Sequence, residues 1–239
     1  MSWEFAGRGE NPWKRNDSGI GDGCFVTGGE LSDRALQLAG YVMAGGASTR
    51  FGFDKARAEL NGQTMLARMC GLLRDVTRSV SVVAAFGRYT ESGERIVDDH
   101  WPGEGPLGGI ITALMDAHAR NHQHTWALIV GCDMPFLTRD WLTHLKERAL
   151  ASDAKIVAPR SPLGLEPLCA CWHTSATAKL QYAFEDGVRK VTEAMKRVDV
   201  EVVDEKDWKR FDKKGRLFWN MNTQADYEEA LRIADAEPR

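Results

Sequence analysis

The chain lacks several features that mark common classes of protein. It carries 31 Lys and Arg against 34 Asp and Glu, a formal net charge of -3. It therefore has no basic excess of the kind that holds nucleic acid through its phosphates. No apolar run in the sequence approaches the roughly 18 residues that a membrane-spanning helix needs. We expect neither a nucleic-acid partner nor a membrane partner.

Cysteines are few and irregularly spaced. The five are Cys24, Cys70, Cys132, Cys169 and Cys171. No pair has the CxxC spacing of metal and redox sites, and the odd number favours free thiols packed as small hydrophobic side chains. The first residues also lack a basic start followed by an apolar stretch, so no secretory signal is visible. These features predict a protein of the reducing cytoplasm.

The first 37 residues differ in character from the rest of the chain. They hold glycines, charges and scattered aromatic residues without a sustained hydrophobic period. Disorder is the simplest interpretation, although the aromatic side chains leave room for docking on the body. We therefore predict a flexible N-terminal extension at 1–37 and one main domain at 38–239.

From residue 38 onward, strand-like apolar runs alternate with helical stripes. The predicted strands are 41–43, 79–85, 95–97, 126–130 and 169–172, and the predicted helices are 64–74 and 109–119. This alternation predicts an α/β fold of the Rossmann-like three-layer α/β/α type, in which helices cover both faces of a mostly parallel sheet. Ligands bind at the carboxyl ends of the strands in such folds. The segment 44–55, Asp98 and Asp133 all follow predicted strands.

The segment 44–55 combines glycines and small residues with two cations. Gly45 and Gly46 allow a close approach of the backbone to a ligand, and the N–H groups of such a loop can converge on an anion. Arg50 offers a planar fork to phosphate oxygens, and Lys55 offers a mobile point charge. We interpret the segment as a triphosphate-binding loop. A glycine-rich turn with two solvated cations is the alternative, and the spacing fits neither GxxxxGK[ST] nor GxGxxG.

Asp133 lies just beyond the apolar run at 126–130. A carboxylate in that position is well placed to hold Mg²⁺ against nucleotide phosphates, because Mg²⁺ favours one or two carboxylates together with substrate oxygens. Capping of the following helix is the alternative role. The predicted cofactor is Mg²⁺.

Four segments resemble motifs of the molybdenum cofactor guanylyltransferases, in that family's order. Residues 43–55, MAGGASTRFGFDK, resemble the signature LAGGxSxRMGxDK, and residues 132–136, CDMPF, resemble CDxPF. Residues 187–191, GVRKV, resemble GxR[RK]V, and residues 218–223, FWNMNT, resemble FxNxNT. The family also has an aspartate seven residues before a GPLxG turn. Asp98 stands at that distance from Gly105, with Asp99 as the neighbouring competitor.

The resemblance implies a role for each matched residue. The implied catalytic residues are Arg50, Lys55 and Asp133, and the implied metal ligands are Asp133 and Asp98. The implied nucleotide-binding residues are Ala44, Gly45, Gly46, Ser48, Lys55, Asp98, Gly105, Pro106, Leu107 and Asp133. The implied pterin-binding residues are Arg189, Lys190, Asn220 and Asn222. The nucleotide half is then about 38–150 and the acceptor half about 151–239. The alternative for the basic pair, Arg189 and Lys190, is a solvated helix start. The alternative for Asn222 is capping of the last helix, where Thr223 and Asp226 form an [ST]xx[DE] box.

The function implied by the resemblance is transfer of GMP from GTP to molybdopterin, giving molybdopterin guanine dinucleotide and pyrophosphate. GTP and molybdopterin are the expected partners, with molybdenum-insertion proteins or molybdoenzyme chaperones as further candidates. Two alternatives stay open. One is a sibling transferase that uses CTP or a sugar-phosphate acceptor, which Phe51 and the lack of an amide at 83–86 favour. The other is a catalytically silent nucleotide-binding protein on the same scaffold.

Overall fold

The computed structural model describes residues 38–45, 54–121 and 125–236. Their strands are β1 Ala39–Met43, β2 Glu59–Leu60, β3 Gln63–Thr64, β4 Ser79–Ala84, β5 Arg95–Asp98, β6 Trp126–Gly131, β7 Ile156–Ser161, β8 Gly164–Leu165, β9 Cys169–His173 and β10 Val200–Val203. Their α-helices are α1 Met65–Arg74, α2 Pro106–Asn121, α3 Arg139–Leu150, α4 Thr177–Glu185, α5 Val191–Met195, α6 Glu205–Trp208 and α7 Gln224–Ala236. The predicted extension at 1–37 lies outside the described residues.

The main sheet has the strand order β10-β7-β9-β6-β1-β4-β5, with β8 added beside β7. The pairs of β1 with β4 and β6, of β4 with β5, and of β7 with β10 are parallel. Only β9 among the strands along this path runs antiparallel to its neighbours. The short connection from β7 through β8 to β9 has no crossover helix, and a return without a crossover gives antiparallel pairing. The predicted α/β fold with a mostly parallel sheet is confirmed.

Helices pack on both faces of this sheet and form two core layers. One layer lies against α1, α3 and α7, and includes the fully buried Trp141. The other lies against α2, α4 and α5, and includes the fully buried Trp172. Cys169 and Cys171 share the first layer, as expected for alternate residues of one strand. Burial raises the pKa of the Cys169 thiol to about 12, so this thiol stays protonated.

The helix boundaries follow local chemistry. Thr64 caps α1 by accepting a hydrogen bond from the Ala67 N–H at 3.2 Å, so the predicted helix at 64–74 begins on its cap. The next predicted helix begins three residues earlier than expected, at Pro106, because proline suits the first turn of a helix, where its missing N–H costs nothing.

Among the described helices, none combines the length and the apolar character that crossing a membrane requires.

Candidate functional site

The carboxyl ends of β1, β4, β5 and β6 meet at one edge of the sheet. Backbone hydrogen bonds continue just beyond the strands: the Ala44 N–H donates to the Val83 carbonyl at 3.0 Å, and the Cys132 N–H donates to the Met43 carbonyl at 3.3 Å. The start of the glycine-rich segment and Asp133 are therefore adjacent. Among the described residues, Ala44 and Gly45 follow the end of β1, Asp98 is the last residue of β5, and Asp133 follows the end of β6, so the expected position at a common edge is confirmed for these residues.

Three predicted residues from distant parts of the chain form a contact cluster at this edge. The Lys55 Nζ lies 3.4 Å from Asp133 Oδ2 and donates a hydrogen bond to Asn222 Oδ1 at 2.9 Å. The Met221 N–H donates to the backbone carbonyl of Asp133 at 2.9 Å, which fixes the 218–223 segment beside the turn after β6. The Lys55 and Asp133 side chains are 18% and 24% exposed, so a ligand can reach this pair. We call Lys55, Asp133 and Asn222 the edge cluster.

Asn222 also stands at the start of α7, where the predicted capping box is present. The Asp226 N–H donates to Thr223 Oγ1 at 3.2 Å, and Asp226 Oδ2 accepts from the N–H groups of Asn222 and Thr223, each at 2.8 Å. Burial of the Asp226 carboxyl opposes its ionisation, but these hydrogen bonds prevail and lower its pKa. Capping therefore uses the Asn222 backbone, which leaves its side-chain oxygen for Lys55.

Lys55 is oriented by its neighbour Asp54. Asp54 Oδ1 accepts from the Ala56 N–H at 3.1 Å and so caps the short 3₁₀ helix Lys55–Arg57. The Tyr89 hydroxyl donates to Asp54 Oδ1 at 2.8 Å, and Arg88 Nη2 donates to Oδ2 at 2.5 Å. Tyr89 is buried and has a left-handed backbone with φ 57°, a conformation that costs energy for a bulky residue. Sequence reasoning missed this support because nothing in the local pattern of 86–92 links it to residue 54.

Asp98, the last residue of β5, and Asp99, the residue after it, occupy different surroundings. Side chains alternate along a strand, so the exposed Asp98 lies on the face opposite to that of the buried Val97. Asp99 Oδ1 accepts from the Trp101 N–H at 3.0 Å, and its Oδ2 is 3.9 Å from the point where a Cβ on Gly45 would lie. The carboxylate next to the glycine-rich segment is thus Asp99, while a role for Asp98 stays a prediction.

The predicted turn Gly105, Pro106 and Leu107 connects β5 to α2. Gly105 has φ +91°, a left-handed conformation that glycine adopts without strain. Pro106 begins the helix and Leu107 is fully buried beneath it. The turn therefore lies at the same edge as Asp99, with its glycine exposed.

The predicted basic pair lies next to this turn and not in the edge cluster. Arg189 Nε donates to Glu104 Oε2 at 2.8 Å, and the guanidinium lies 4.0 Å from the centroid of the Phe184 ring. Lys190 is exposed and is the N-cap residue of α5. Arg189 therefore contacts Glu104, the residue before Gly105. The pterin-binding role of Arg189 and Lys190 stays a prediction.

Asn220 is half-buried between the edge cluster and the core. Its Nδ2 donates to the Phe218 carbonyl at 3.1 Å, and Phe218 itself packs edge-on against Trp208 with ring centroids 5.1 Å apart. Phe218 and Trp208 therefore serve packing. Gly46, Ser48 and Arg50 lie outside the described residues.

The donors of the edge fit a hard, oxygen-seeking cation better than zinc. No group of three or more His, Cys, Asp or Glu side chains gathers around a point within 38–45, 54–121 and 125–236. The Asp133 carboxylate is partly exposed. It also lies close to the backbone of Gly131, because a Cβ added to that glycine would be 2.7 Å from Asp133 Oδ1. One such carboxylate, completed by water and substrate oxygens, matches the way proteins bind Mg²⁺.

Comparison with known proteins agrees with this geometry. Residues 40–200 match the family described as MobA-like NTP transferase domain. A probable molybdenum cofactor guanylyltransferase of Chloroflexus aggregans is 32% identical over 196 residues, 80% of this chain and 92% of that protein. The structure of molybdopterin-guanine dinucleotide biosynthesis protein A from Archaeoglobus fulgidus has a TM-score of 0.70 at 24% identity, over 83% of this chain and all of that one. A Mycobacterium tuberculosis protein solved in complex with manganese has a TM-score of 0.57 at 17% identity, over 82% of this chain and 99% of that one.

Proposed function

We propose that this chain, which belongs to the MobA-like NTP transferase family and is a nucleotidyltransferase, transfers GMP from GTP to molybdopterin with release of pyrophosphate. The observation that carries the proposal is the edge cluster. Three segments that resemble guanylyltransferase motifs, more than 160 residues apart at the extremes, contribute one polar side chain each to a single contact network. On this proposal, residues 38–150 bind the nucleotide and residues 151–239 the acceptor.

In the proposed reaction, an oxygen of the acceptor's terminal phosphate attacks the α-phosphorus of GTP in line. A bond forms from that oxygen to the α-phosphorus, and the bond from the α-phosphorus to the β-bridging oxygen breaks. Pyrophosphate leaves with the electron pair. The attacking phosphate is already an anion, so the reaction demands no catalytic base. The work of the protein is therefore to position the two reactants and to stabilise the developing charge.

The residues of the edge cluster suit these tasks. Lys55 is aimed by its Asp54 neighbour and by Asn222, so its ammonium is held in place to stabilise charge on the leaving phosphates. Asp133 would hold Mg²⁺, with Asp98 or Asp99, at the end of β5, as the candidate second carboxylate. When bound, the cation supplies charge neutralisation at the phosphate oxygens. The motif resemblance assigns Asn220, Asn222, Arg189 and Lys190 to the acceptor, and the exposed Lys190 would contribute positive charge beyond the Gly105 turn.

The proposal is tested first by ligand-induced stabilisation. Thermal unfolding is measured with GTP, CTP, ATP and UTP, each with and without Mg²⁺. A ligand at about 100 times its Kd stabilises a protein by roughly 2.7 kcal/mol, a melting shift of about 5–10 °C for a chain of this size. A shift for GTP alone that Mg²⁺ enlarges is the expected result. Pyrophosphate release on adding molybdopterin then tests the transfer itself.

Other outcomes of this panel point to the alternatives. The resemblance to the guanylyltransferases implies an asparagine at the end of the second parallel strand to help hold the nucleoside, and here Phe86 stands beyond β4 with 87% of its surface exposed. A larger shift with CTP would therefore move the proposal to a cytidylyl transferase. Tight GTP binding with no pyrophosphate release in the presence of acceptor would support a silent nucleotide-binding protein.

Tyr89→Phe is expected to lower kcat/KM for GTP about tenfold. The change removes the hydroxyl that donates to Asp54, so the turn that aims Lys55 loses one of its fixed contacts, at a cost of about 1–2 kcal/mol. Steady-state pyrophosphate release measures the effect. Tyr182→Phe is the matched control, because Tyr182 is 63% exposed on α4. An unchanged kcat/KM for Tyr89→Phe would show that Asp54 holds Lys55 without the hydroxyl.

Gly131→Ala is expected to lower turnover by about tenfold while leaving the fold intact. The added Cβ would lie 2.7 Å from Asp133 Oδ1 and 3.6 Å from the Leu168 Cβ, so the carboxylate must move whereas the packing of Leu168 need not. A displacement of about 1 Å in a positioned group can cost more than this in rate. Pyrophosphate release and the melting temperature are compared with those of Gly71→Ala, where an added Cβ has no described atom within 4 Å. Wild-type turnover in Gly131→Ala would show that the position of Asp133 is not critical.

A further inference from the structure

A cavity lies between α1, the first turn of α3 and the segment 210–217. It has a cavity volume of about 360 Å³. Five cationic side chains line it: Arg68, Arg210, Lys213, Lys214 and Arg216. Asp140 and Asp212 are its two carboxylates, which leaves three formal positive charges in excess. The whole chain carries a net charge of -3, so this concentration of positive charge is local.

Besides the charged side chains, the lining of this cavity includes two aliphatic side chains and two aromatic rings. Leu137 and Leu217 are buried at its base, and the rings of Phe136 and Phe211 are half-buried beside them. The Arg216 guanidinium lies 6.0 Å from the centroid of Phe136, and that of Arg210 lies 4.8 Å from the centroid of Phe211. Each ring is thus paired with a cation, an arrangement that accepts a planar molecule carrying negative charge.

The cavity is connected rigidly to the turn that carries Asp133. Arg68 Nε donates to the carbonyl of Pro135 at 2.8 Å, and Phe136 packs on Trp219 with ring centroids 5.6 Å apart. Trp219 immediately precedes Asn220. On the other side, the Arg216 N–H donates to Asp212 Oδ1 at 2.7 Å and so closes the 212–216 turn. These contacts join the wall of the cavity to the turn that carries Asp133 and to the segment that carries Asn220.

The first turn of α3 adds to the positive potential of the cavity. Thr138 caps this 12-residue helix by accepting from the Trp141 N–H at 3.3 Å, and the N-terminus of a helix carries a partial positive charge. Asp140 in that turn offsets part of it. The lining cations, the aromatic walls and the helix start together form the site.

We propose that this cavity binds a phosphate-bearing small molecule with a planar heterocyclic body. The lining cations would hold the phosphate, and Phe136 and Phe211 would contact the ring system. Two sources share that chemistry: the pterin acceptor, in which case the cavity is part of the acceptor site and rests on the proposed function, and a second nucleotide, in which case it does not. The position of Phe136, three residues after Asp133, is what would couple occupancy of the cavity to the reaction.

Binding of flavin mononucleotide tests the proposal, because this fluorescent molecule is a planar heterocycle with one phosphate. Its binding to the full chain is measured by anisotropy without GTP, so a failure of GMP transfer cannot be mistaken for a failure of this site. Arg210→Ala combined with Lys213→Ala is expected to weaken binding at least tenfold, since contacts of a charged group are worth about a factor of ten each. Riboflavin, which lacks the phosphate, is expected to bind at least tenfold more weakly than flavin mononucleotide.

Two single variants locate the binding. Lys55→Met and the surface control Lys179→Ala, an exposed residue of α4, are expected to leave the Kd of flavin mononucleotide unchanged. Loss of binding in Lys55→Met would place the probe in the nucleotide site and overturn the proposal. Absence of binding at millimolar probe, or wild-type affinity in the Arg210→Ala, Lys213→Ala variant with an unchanged melting temperature, would also overturn it.

Competition distinguishes the two sources of the ligand. Displacement of flavin mononucleotide by a pterin monophosphate and not by GMP would assign the cavity to the acceptor. Displacement by GMP and not by the pterin would assign a second nucleotide. Displacement by neither would overturn the proposal.

Discussion

Asp133→Asn should lower the turnover of GMP transfer by about 10²–10³-fold, the loss typical of removing one group that stabilises transition-state charge. The substitution keeps the shape of the side chain but removes the negative charge that would hold Mg²⁺. The backbone contact from the Met221 N–H to the Asp133 carbonyl does not involve the side chain, so the fold around the edge should persist. The deficit should therefore appear in kcat, with little change in melting temperature.

The measurement is steady-state pyrophosphate release at saturating GTP over a range of Mg²⁺ concentrations. Asp153→Asn is the matched control, because Asp153 is exposed just before β7, at the opposite edge of the sheet. We also expect the Mg²⁺ concentration that gives half-maximal rate to rise in Asp133→Asn. Turnover within threefold of wild type would remove Asp133 from the proposed mechanism, whatever the behaviour of the control.

Lys55→Met should lower kcat/KM for GTP by about 10²–10³-fold, for a related but separate reason. Methionine retains an unbranched side chain of similar reach but loses the ammonium that contacts Asp133 at 3.4 Å and Asn222 at 2.9 Å. The leaving phosphates then lack a positioned cation. Lys55→Arg should recover only part of the loss, because a planar guanidinium cannot reproduce the contacts of a compact ammonium.

A double-mutant cycle tests whether the edge cluster acts as one unit. Because Lys55 and Asp133 are in contact, the variant Lys55→Met with Asp133→Asn should lose far less than the product of the two single losses. Lys206→Met, an exposed lysine of α6, serves as the control for removal of a surface cation. Fully multiplicative losses would show that Lys55 and Asp133 act independently, and wild-type kcat/KM in Lys55→Met would contradict its role in holding phosphate.

Much of the fold was predictable because its determinants are local. The β-branched run of β4 and the apolar run of β6 mark strands whatever surrounds them, and Thr64 marks a helix start through its own side chain. In a parallel sheet, strand ends converge at one edge by topology alone, so the sequence placed Asp133 and the glycine-rich segment together. The orientation of β9 was not predictable, because the pattern of its alternating residues is the same in either direction.

The sequence by itself determined the α/β class, the sheet edge proposed for ligand binding and the choice of Lys55 and Asp133 as candidate site residues. Only the tertiary structure showed that the Asp99 carboxylate lies near Gly45, since the sequence does not reveal which face each of two neighbouring carboxylates occupies. Only it could join Tyr89 to Asp54, or gather Arg68, Phe136 and the 210–217 segment around one cavity. These contacts link residues 35 to about 150 positions apart, and such distances leave no periodic trace in the chain, because side-chain contacts depend on packing and not on spacing.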